Sequence, residues 1–530
     1  MLLRKNMRDT INSKFIKENA LKVREDKMKR IRTIIARLFV FAAVVAMCGA
    51  FTGDDVRAEE KTPELTIDGD KNAADMTDGS YYTNVRFTTG DKITVRIADG
   101  STIHGLYIMW DSPIKPWTLE TDNGTVECGK NGFLHEYIKL EEGTQSAVIN
   151  IPADATYICN IRVFDSTDIP EDVQTWNAPC DEADIMLVAA HADDEILFLG
   201  GIIPTYGVAD NAKVQVVYMT QFWDTARIRE HEKLDGLWTD GCRYYPVSAG
   251  FTDVYSESID TARTQYDEDA MIEFITEQIR RFKPQVVVTH DFNGEYGHGY
   301  HRLTADAVMN ALDAANDSEK YTASAQEYGT WDTPKAYFHL YSENKISLNL
   351  REPIEEMDGM TAVEVAAAAY KRHVSQQWCW FYVSDDYQYS CAEFGLYRTR
   401  VGADTENNML ENIKTYTTME EESIQESIEA SVQESIAESI SESESESIAE
   451  SQSESIRQSE EESASIRESE QEALEAKLAK EHTRNTVIAA VAIVLAVLLT
   501  VFLIVLFVSK KGRNAGNTSG NPKRKRRRTK

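Results

Sequence analysis

Apolar and polar positions follow two different rhythms along this chain. Between residues 60 and 179 the apolar runs are short and alternate with polar residues: LTIDG, KITVRIADG, GLYIMWDSP, WTLETDNGT, EYIKLEE, SAVINIPA and NIRVFDS. Gly, Asn, Asp and Pro separate them. A period of two, closed by turn residues at near-regular spacing, predicts a β-sandwich or jelly roll. The segment WNAPC, residues 176–180, marks the boundary. From residue 181 to 408 the strands become continuous apolar runs (IMLVAA, KVQVVYMT, PQVVVTH, KAYFHLYS) separated by amphipathic stretches such as RIREHEKLDGLW and AMIEFITEQIRRF. Strands apolar on both faces and alternating with helices predict an α/β domain with a Rossmann-like, mostly parallel sheet and helices on both faces.

Three further segments fall outside those rhythms. Residues 421–470 hold 16 Ser and 16 Glu, with Ile or Val recurring every fourth position from 424 to 440. A four-residue step drifts around a helix and keeps no heptad seam, so a solvated stalk, disordered or a lone charged helix, is expected. Val487 to Val508 is 22 residues without a charge, about 33 Å as a helix and long enough to span a bilayer. KKGR and KRKRRR follow, so the tail 509–530 is expected to be cytoplasmic and everything before it outside. At the other end, MKRIRTIIAR from Met28 leads into the apolar run 38–51, with Val56 and Ala58 beyond it. Residues 1–58 therefore read as a leader and signal peptide. Together these segments predict a single-pass cell-membrane protein with an extracellular ectodomain.

The formal net charge is −31, and the acid excess falls on the central region while both ends are basic. Such a body repels polyanions, which excludes a nucleic-acid partner. Six cysteines follow the leader. Export permits disulfides, for which Cys128–Cys159 and Cys379–Cys391 are the nearest pairs, and buried free thiols are the equal alternative. No CxxC occurs, which argues against a structural zinc knuckle.

The chemistry concentrates in two loops. In LVAAHADDEILFLGG a buried strand ends at His191, and Asp193, Asp194 and Glu195 precede a helix. The carboxyl edge of a doubly wound sheet is where such folds place ligands. His191 and Asp194, three apart, can reach one cation with Asp193 beside it. After PQVVVTH, the segment DFNGEYGHGYHRLTADAV sets His298 and His301 at the same kind of edge. His290 reads as a strand-end cap. His104, His135, His231, His339, His373 and His482 lack a partner motif and read as surface or core.

HADDE and GEYGHGYH, followed by AAAYKRHVSQQ and EFGLYRTRVGAD, resemble the PIG-L/LmbE de-N-acetylase family across about residues 181–408. The resemblance implies zinc ligands His191, Asp194 and His301, one ion per chain, with Asp193 as general base. His298 and Tyr296 would face the substrate carbonyl, and Arg227 and Glu230 would lie near the sugar. Two imidazoles and one carboxylate leave open positions on the ion, as catalytic sites do, and iron(II) accepts the same set. The implied activity is removal of acetyl groups from N-acetylated amino sugars of a surface or extracellular glycan. Two departures stand out: Ala192 replaces a proline, and Gly299-Tyr300 replaces Pro-Asp, removing the carboxylate that would orient His298. GLYIMWDSPIKPWTLE resembles discoidin-type galactose-binding modules, which implies a glycan-binding β-domain; Trp110 and Trp117 read as core, with a sugar-platform role for either as the alternative. A second overall reading is a catalytically inactive cell-surface carbohydrate-binding protein. No GxGxxG follows the first α/β strand, so a dinucleotide enzyme is excluded.

Overall fold

The structure, a computed structural model, describes residues 60–67 and 71–443, with side chains to 431. The leader and signal peptide, the apolar stretch 487–508, the basic tail and residues 444–470 of the stalk lie outside the described residues. Among the described residues no helix is long and apolar enough to cross a membrane.

The fold is mixed α/β with several sheets. Two five-stranded antiparallel sheets come first. One runs Glu60–Lys61, Thr156–Phe164, Ile103–Trp110, His135–Thr144, with Val85–Phe87 also on Thr156–Phe164. The other runs Pro63–Ile67, Lys92–Ile97, Ala147–Asn150, Trp117–Thr121, Gly124–Cys128. Alternation puts Ile93, Val95, Leu119 and Ile149 inside, each fully buried.

Trp110 and Trp117 are also inside, at 0% and 3% exposure, so neither is a sugar platform. Their rings meet edge-on, and both indole N–H groups donate to Glu136 Oε2, at 3.3 and 2.9 Å. Buried indoles need such an acceptor, and one carboxylate serves both.

A seven-stranded sheet follows, in the order Val247–Thr252, Val214–Gln221, Ile185–Ala189, Val286–Thr289, Lys335–His339, Glu393–Thr399, Lys345–Ser347. The first five are parallel and the last two antiparallel. Ile185–Ala189 has its successor on one side and Val286–Thr289 on the other, so the strand order reverses there. The two chemical loops leave these two neighbouring strands at that switch point. Packing continues beyond residue 408: Lys335 Nζ donates to the carbonyls of Met409 and Glu411.

One apolar cluster joins the sandwich to the α/β half, from Trp110 and Ile161 through Trp176 to Leu187, Leu234 and Leu237. Phe133 stacks on Tyr245 at 4.5 Å, and Trp176 meets Trp238 edge-on. All six cysteines are free. Neither pair that the spacing suggested, Cys128–Cys159 or Cys379–Cys391, is bonded, and the buried-free-thiol alternative describes Cys128, Cys159 and Cys391.

The Ser/Glu-rich segment is described as far as Ser443, within the helix Tyr416–Ser443. It is rooted where Tyr416 N–H donates to Asp184 Oδ1 (2.6 Å) and Tyr416 Oη to the Lys283 carbonyl (2.7 Å). Since Trp110 holds sandwich core and no ligand surface, Trp110→Ala should destabilise the protein by about 3–5 kcal/mol. Urea denaturation measures this.

Candidate metal and active site

Four parallel strands deliver titratable residues to one edge. His191 follows Ile185–Ala189, Asp253 follows Val247–Thr252, His290 follows Val286–Thr289, and His339 ends Lys335–His339. His191 Nδ1, Asp194 Oδ2 and His301 Nε2 form a triangle with sides of 3.0, 3.1 and 3.3 Å. Ligands about 2.0–2.1 Å from one tetrahedral ion lie about 3.3 Å apart, so this spacing fits a single small divalent cation.

Hydrogen bonding explains why lone pairs face the triangle's centre. His301 Nδ1 donates to Glu295 Oε2 (2.7 Å), which leaves Nε2 free to coordinate. His191 Nε2 faces Asp253 Oδ1 at 3.4 Å, which leaves Nδ1 inward. Burial opposes charge on His301, yet Asp194 and Glu295 hold its pKa up at about 10. His191 rises to about 8 in the same way, burial being outweighed by Asp194 and Asp253. Burial would raise Asp194, but His301 and His191 hold it well below the usual range. In this cluster protons stand where a cation fits.

His290 is not a competing ligand, although its ring stacks on His301. Its Nε2 accepts from Ala190 N–H (2.9 Å) and its Nδ1 donates to Glu295 (2.8 Å), so both nitrogens are used. It is the strand-end cap that the sequence suggested.

Asp193 lies beside the triangle at φ +115°, outside the helix Asp194–Leu197. Burial pushes its carboxyl up to about 7, against the pull of Arg229. Arg229 Nη2 donates to Asp193 Oδ1 (3.2 Å) and to the Ala192 carbonyl (2.6 Å). His298 caps the helix Gly299–Asn316 and joins His191 and His301 in a looser group, its ring 4.6 Å from that of His301. Burial and the two neighbouring histidines push it down to about 2. Its Nδ1 has no partner among the described residues. Tyr296, at φ +48° and 39% exposed, stands at the mouth with exposed Tyr255.

Tyr300 is fully buried, stacks on Tyr266 at 3.9 Å and lies 5.5 Å from the ring of His191. Its neighbour explains the departure from Pro-Asp. Gly299 N–H donates to the Ser256 carbonyl (2.8 Å), a bond proline cannot make. A Cβ at 299 would also lie 2.0 Å from the Ser258 oxygen.

Arg227 and Glu230 are not brought to this cluster. Arg227 pairs with Asp111 of the sandwich. Glu230 is buried, accepting from Phe222 N–H (2.7 Å) and from Lys233. The arginine at the site is Arg229, two residues along. Glu295 and Asp253 also went unassigned in the sequence. Glu295 sits inside GEYGH, and Asp253 directly follows the apolar end of a strand, which was its one legible signal.

An α/β domain with a two-histidine, one-carboxylate cluster at its switch point defines the class. Residues 186–312 match the PIG-L family, described as GlcNAc-PI de-N-acetylase, and form a domain of that family. Its curated relatives are deacetylases and an amidase. A 1D-myo-inositol 2-acetamido-2-deoxy-alpha-D-glucopyranoside deacetylase of Catenulispora acidiphila is 26% identical over 214 residues, covering 34% of this chain and 63% of the relative. Mycothiol S-conjugate amidase of Streptomyces coelicolor is 42% identical over 74 residues, 14% of this chain and 25% of that protein. The chain thus spans less than two thirds of either. Among solved structures, N,N'-diacetylchitobiose deacetylase from Pyrococcus horikoshii aligns with TM-score 0.28 and 17% identity, over 37% of this chain and 72% of that one.

Glu295 fixes the tautomer of His301, so Glu295→Gln should weaken divalent-ion binding about 10–100-fold. Competition with a chromogenic chelator reads this directly. Unchanged affinity would mean that the carboxylate does not orient the ligand.

Proposed function

We propose that the α/β half is a metal-dependent de-N-acetylase acting on N-acetylated amino sugars of a surface or extracellular glycan. The observation that carries this reading is the converging lone-pair triangle of His191, Asp194 and His301 with the buried carboxyl of Asp193 beside it. The deacetylase relatives of the family domain support the same reaction class.

His191, Asp194 and His301 would hold one zinc ion, and the set also suits Fe2+. Bound there, the ion supplies a Lewis acid for the acetamide carbonyl and acidifies a water. Asp193, held near neutrality by burial, takes the proton of the attacking water. Arg229 keeps that carboxylate oriented. Tyr296 and His298 line the open side, where an N–H or O–H can donate to the carbonyl oxygen as it gains charge. The low pKa of His298 keeps its ring neutral, which suits donation to an oxyanion better than storage of a proton. Asp193 then returns its proton to the departing amine, giving acetate and a free amino sugar. Asp253, partly exposed at the rim, offers an acceptor for a sugar hydroxyl.

The alternative of an inactive cell-surface carbohydrate-binding protein draws on the missing carboxylate at Tyr300 and the unpartnered Nδ1 of His298. Acetate release from N-acetylated oligosaccharides, absent on addition of a chelator and restored by zinc, decides between the two.

The chain is proposed to be a single-pass cell-membrane protein, its C-terminal helix in the bilayer and its enzyme outside. The apolar stretch 487–508 and the leader 1–58 support this. A 50-residue stalk that stays helical reaches about 75 Å, which sets the site clear of the membrane. The acidic body favours a neutral or cationic glycan.

Asp193→Asn should keep the metal and lose about two to four orders of magnitude in turnover, because it deletes only proton transfer. His301→Ala should lose the ion of this triangle and the activity together. Metal analysis beside acetate release separates the roles, and full occupancy in His301→Ala would remove that residue from the ligand set. Protease added to intact cells should release deacetylase activity by cutting the stalk. Activity recovered only from the cytosol would refute the topology.

A further inference from the structure

Where the sandwich meets the α/β half, three buried side chains aim donor atoms at one point. Asp111 follows the strand Ile103–Trp110, and Cys159 lies at the register shift between Ile158 and Asn160 of Thr156–Phe164. A bulge of this kind redirects a side chain out of the alternation, here towards the domain boundary. His231 comes from the other side, on the helix Ile228–Thr239. All three are buried, at 5%, 0% and 1% exposure. Cys159 Sγ is 3.9 Å from Asp111 Oδ1, 4.0 Å from His231 Nε2 and 3.9 Å from the Tyr81 carbonyl oxygen. The three side-chain atoms lie within 4.8 Å of one another.

The hydrogen-bond chain behind His231 fixes which of its nitrogens carries the proton. Trp176 Nε1, which can only donate, lies 2.9 Å from Gln174 Oε1, and Gln174 Nε2 donates to Asp235 Oδ1 (2.6 Å). Gln174 Oε1 is therefore the acceptor facing His135 Nδ1 at 2.8 Å, and His135 Nδ1 carries hydrogen. His135 Nε2 then accepts from His231 Nδ1 at 2.9 Å. His231 Nε2 is left as a bare lone pair, pointing at Cys159 and Asp111. A lone-pair nitrogen, a carboxylate oxygen and a backbone carbonyl surround one sulfur, and the thiol has a single proton for all three.

We propose that Asp111, Cys159 and His231 form a second metal site, for a thiophilic divalent cation of the zinc type, with the Tyr81 carbonyl available as a fourth ligand. Zn–S near 2.3 Å and Zn–N near 2.0 Å place sulfur and nitrogen about 3.6 Å apart in a tetrahedron. The observed separations of Asp111 and His231 from the sulfur, 3.9 and 4.0 Å, need to contract by only a few tenths of an ångström. The outer partners are already in place: His135 orients His231, and Arg227 holds the second oxygen of Asp111. A cleft of about 380 Å³ between Tyr82, Asn84, Asp111 and Arg227 opens on the Asp111 side of the group. Two ligands come from the sandwich and one from the α/β half, so the ion would clip the two together.

The catalytic candidate cluster contains no cysteine, so cobalt(II) distinguishes the sites. Full-length protein stripped of metal and titrated with cobalt should take up two ions per chain and develop a near-ultraviolet thiolate-to-cobalt band. His301→Ala should keep the band with one ion, and Cys159→Ser should keep one ion and deacetylase activity without the band. His231→Asn should likewise lose the band if Cys159→Ser fails to fold. Wild-type protein with no thiolate band, or a band that survives Cys159→Ser, would overturn the proposal. Because the band is read without substrate, failure of the deacetylase reading leaves this result unaffected.

Discussion

A single buried carboxylate, Glu295, organises the edge of the parallel sheet. Its Oε2 accepts from His290 and His301, and its Oε1 accepts from His339 Nδ1 at 2.6 Å and from Asp291 N–H at 3.2 Å. An ionised group buried without partners costs several kcal/mol, and these four donors offset that cost. Burial alone would raise the Glu295 pKa, yet His290 and the other histidines hold it well below the carboxylate range. Each ring that donates through Nδ1 is left with a defined Nε2. On His301 that nitrogen faces Asp194, and on His290 it accepts the backbone of Ala190. The metal triangle and the strand-end cap both follow from where this one side chain sits.

Function here works against stability in a way the geometry makes plain. Asp193 is buried with its carboxyl near neutrality and holds φ at +115°, a region that costs a non-glycine residue about 1–3 kcal/mol. Tyr296 also has positive φ. Both are residues for which chemistry is proposed, and both are held by packed neighbours: Arg229 and Glu195 around Asp193, Phe381 against Tyr296 at 4.6 Å.

The α/β half was legible because its strands are buried on both faces and the two loops leave adjacent strands. Period and spacing therefore carried the mixed α/β class and the grouping of His191, Asp193, Asp194, His298 and His301. The sandwich was legible as alternation and the core placement of Trp110 and Trp117 as the favoured reading, but the acceptor they share, Glu136 on another strand, was not. Arg229 escaped notice because RIRE offers two arginines, and only the helix phase decides which one turns inward. Asp253 escaped because its partner His191 is distant in sequence, and Glu295 because nothing in GEYGH shows that its side chain turns inward to His290 and His301. His135 and His231, 96 residues apart, were read as surface or core and share a hydrogen bond.

The apolar cluster running from the sandwich into the α/β half also sets an order of events at birth. The sandwich is synthesised first, yet its boundary face (Phe133, His135, Cys159) is covered by His231 and Tyr245, which emerge only after a further stretch of chain. Domains generally fold as units from the N-terminus, but this one cannot finish its surface alone. Until the helix Ile228–Thr239 arrives, a patch of aromatic rings and an unoxidised thiol stand open to whatever the nascent chain meets.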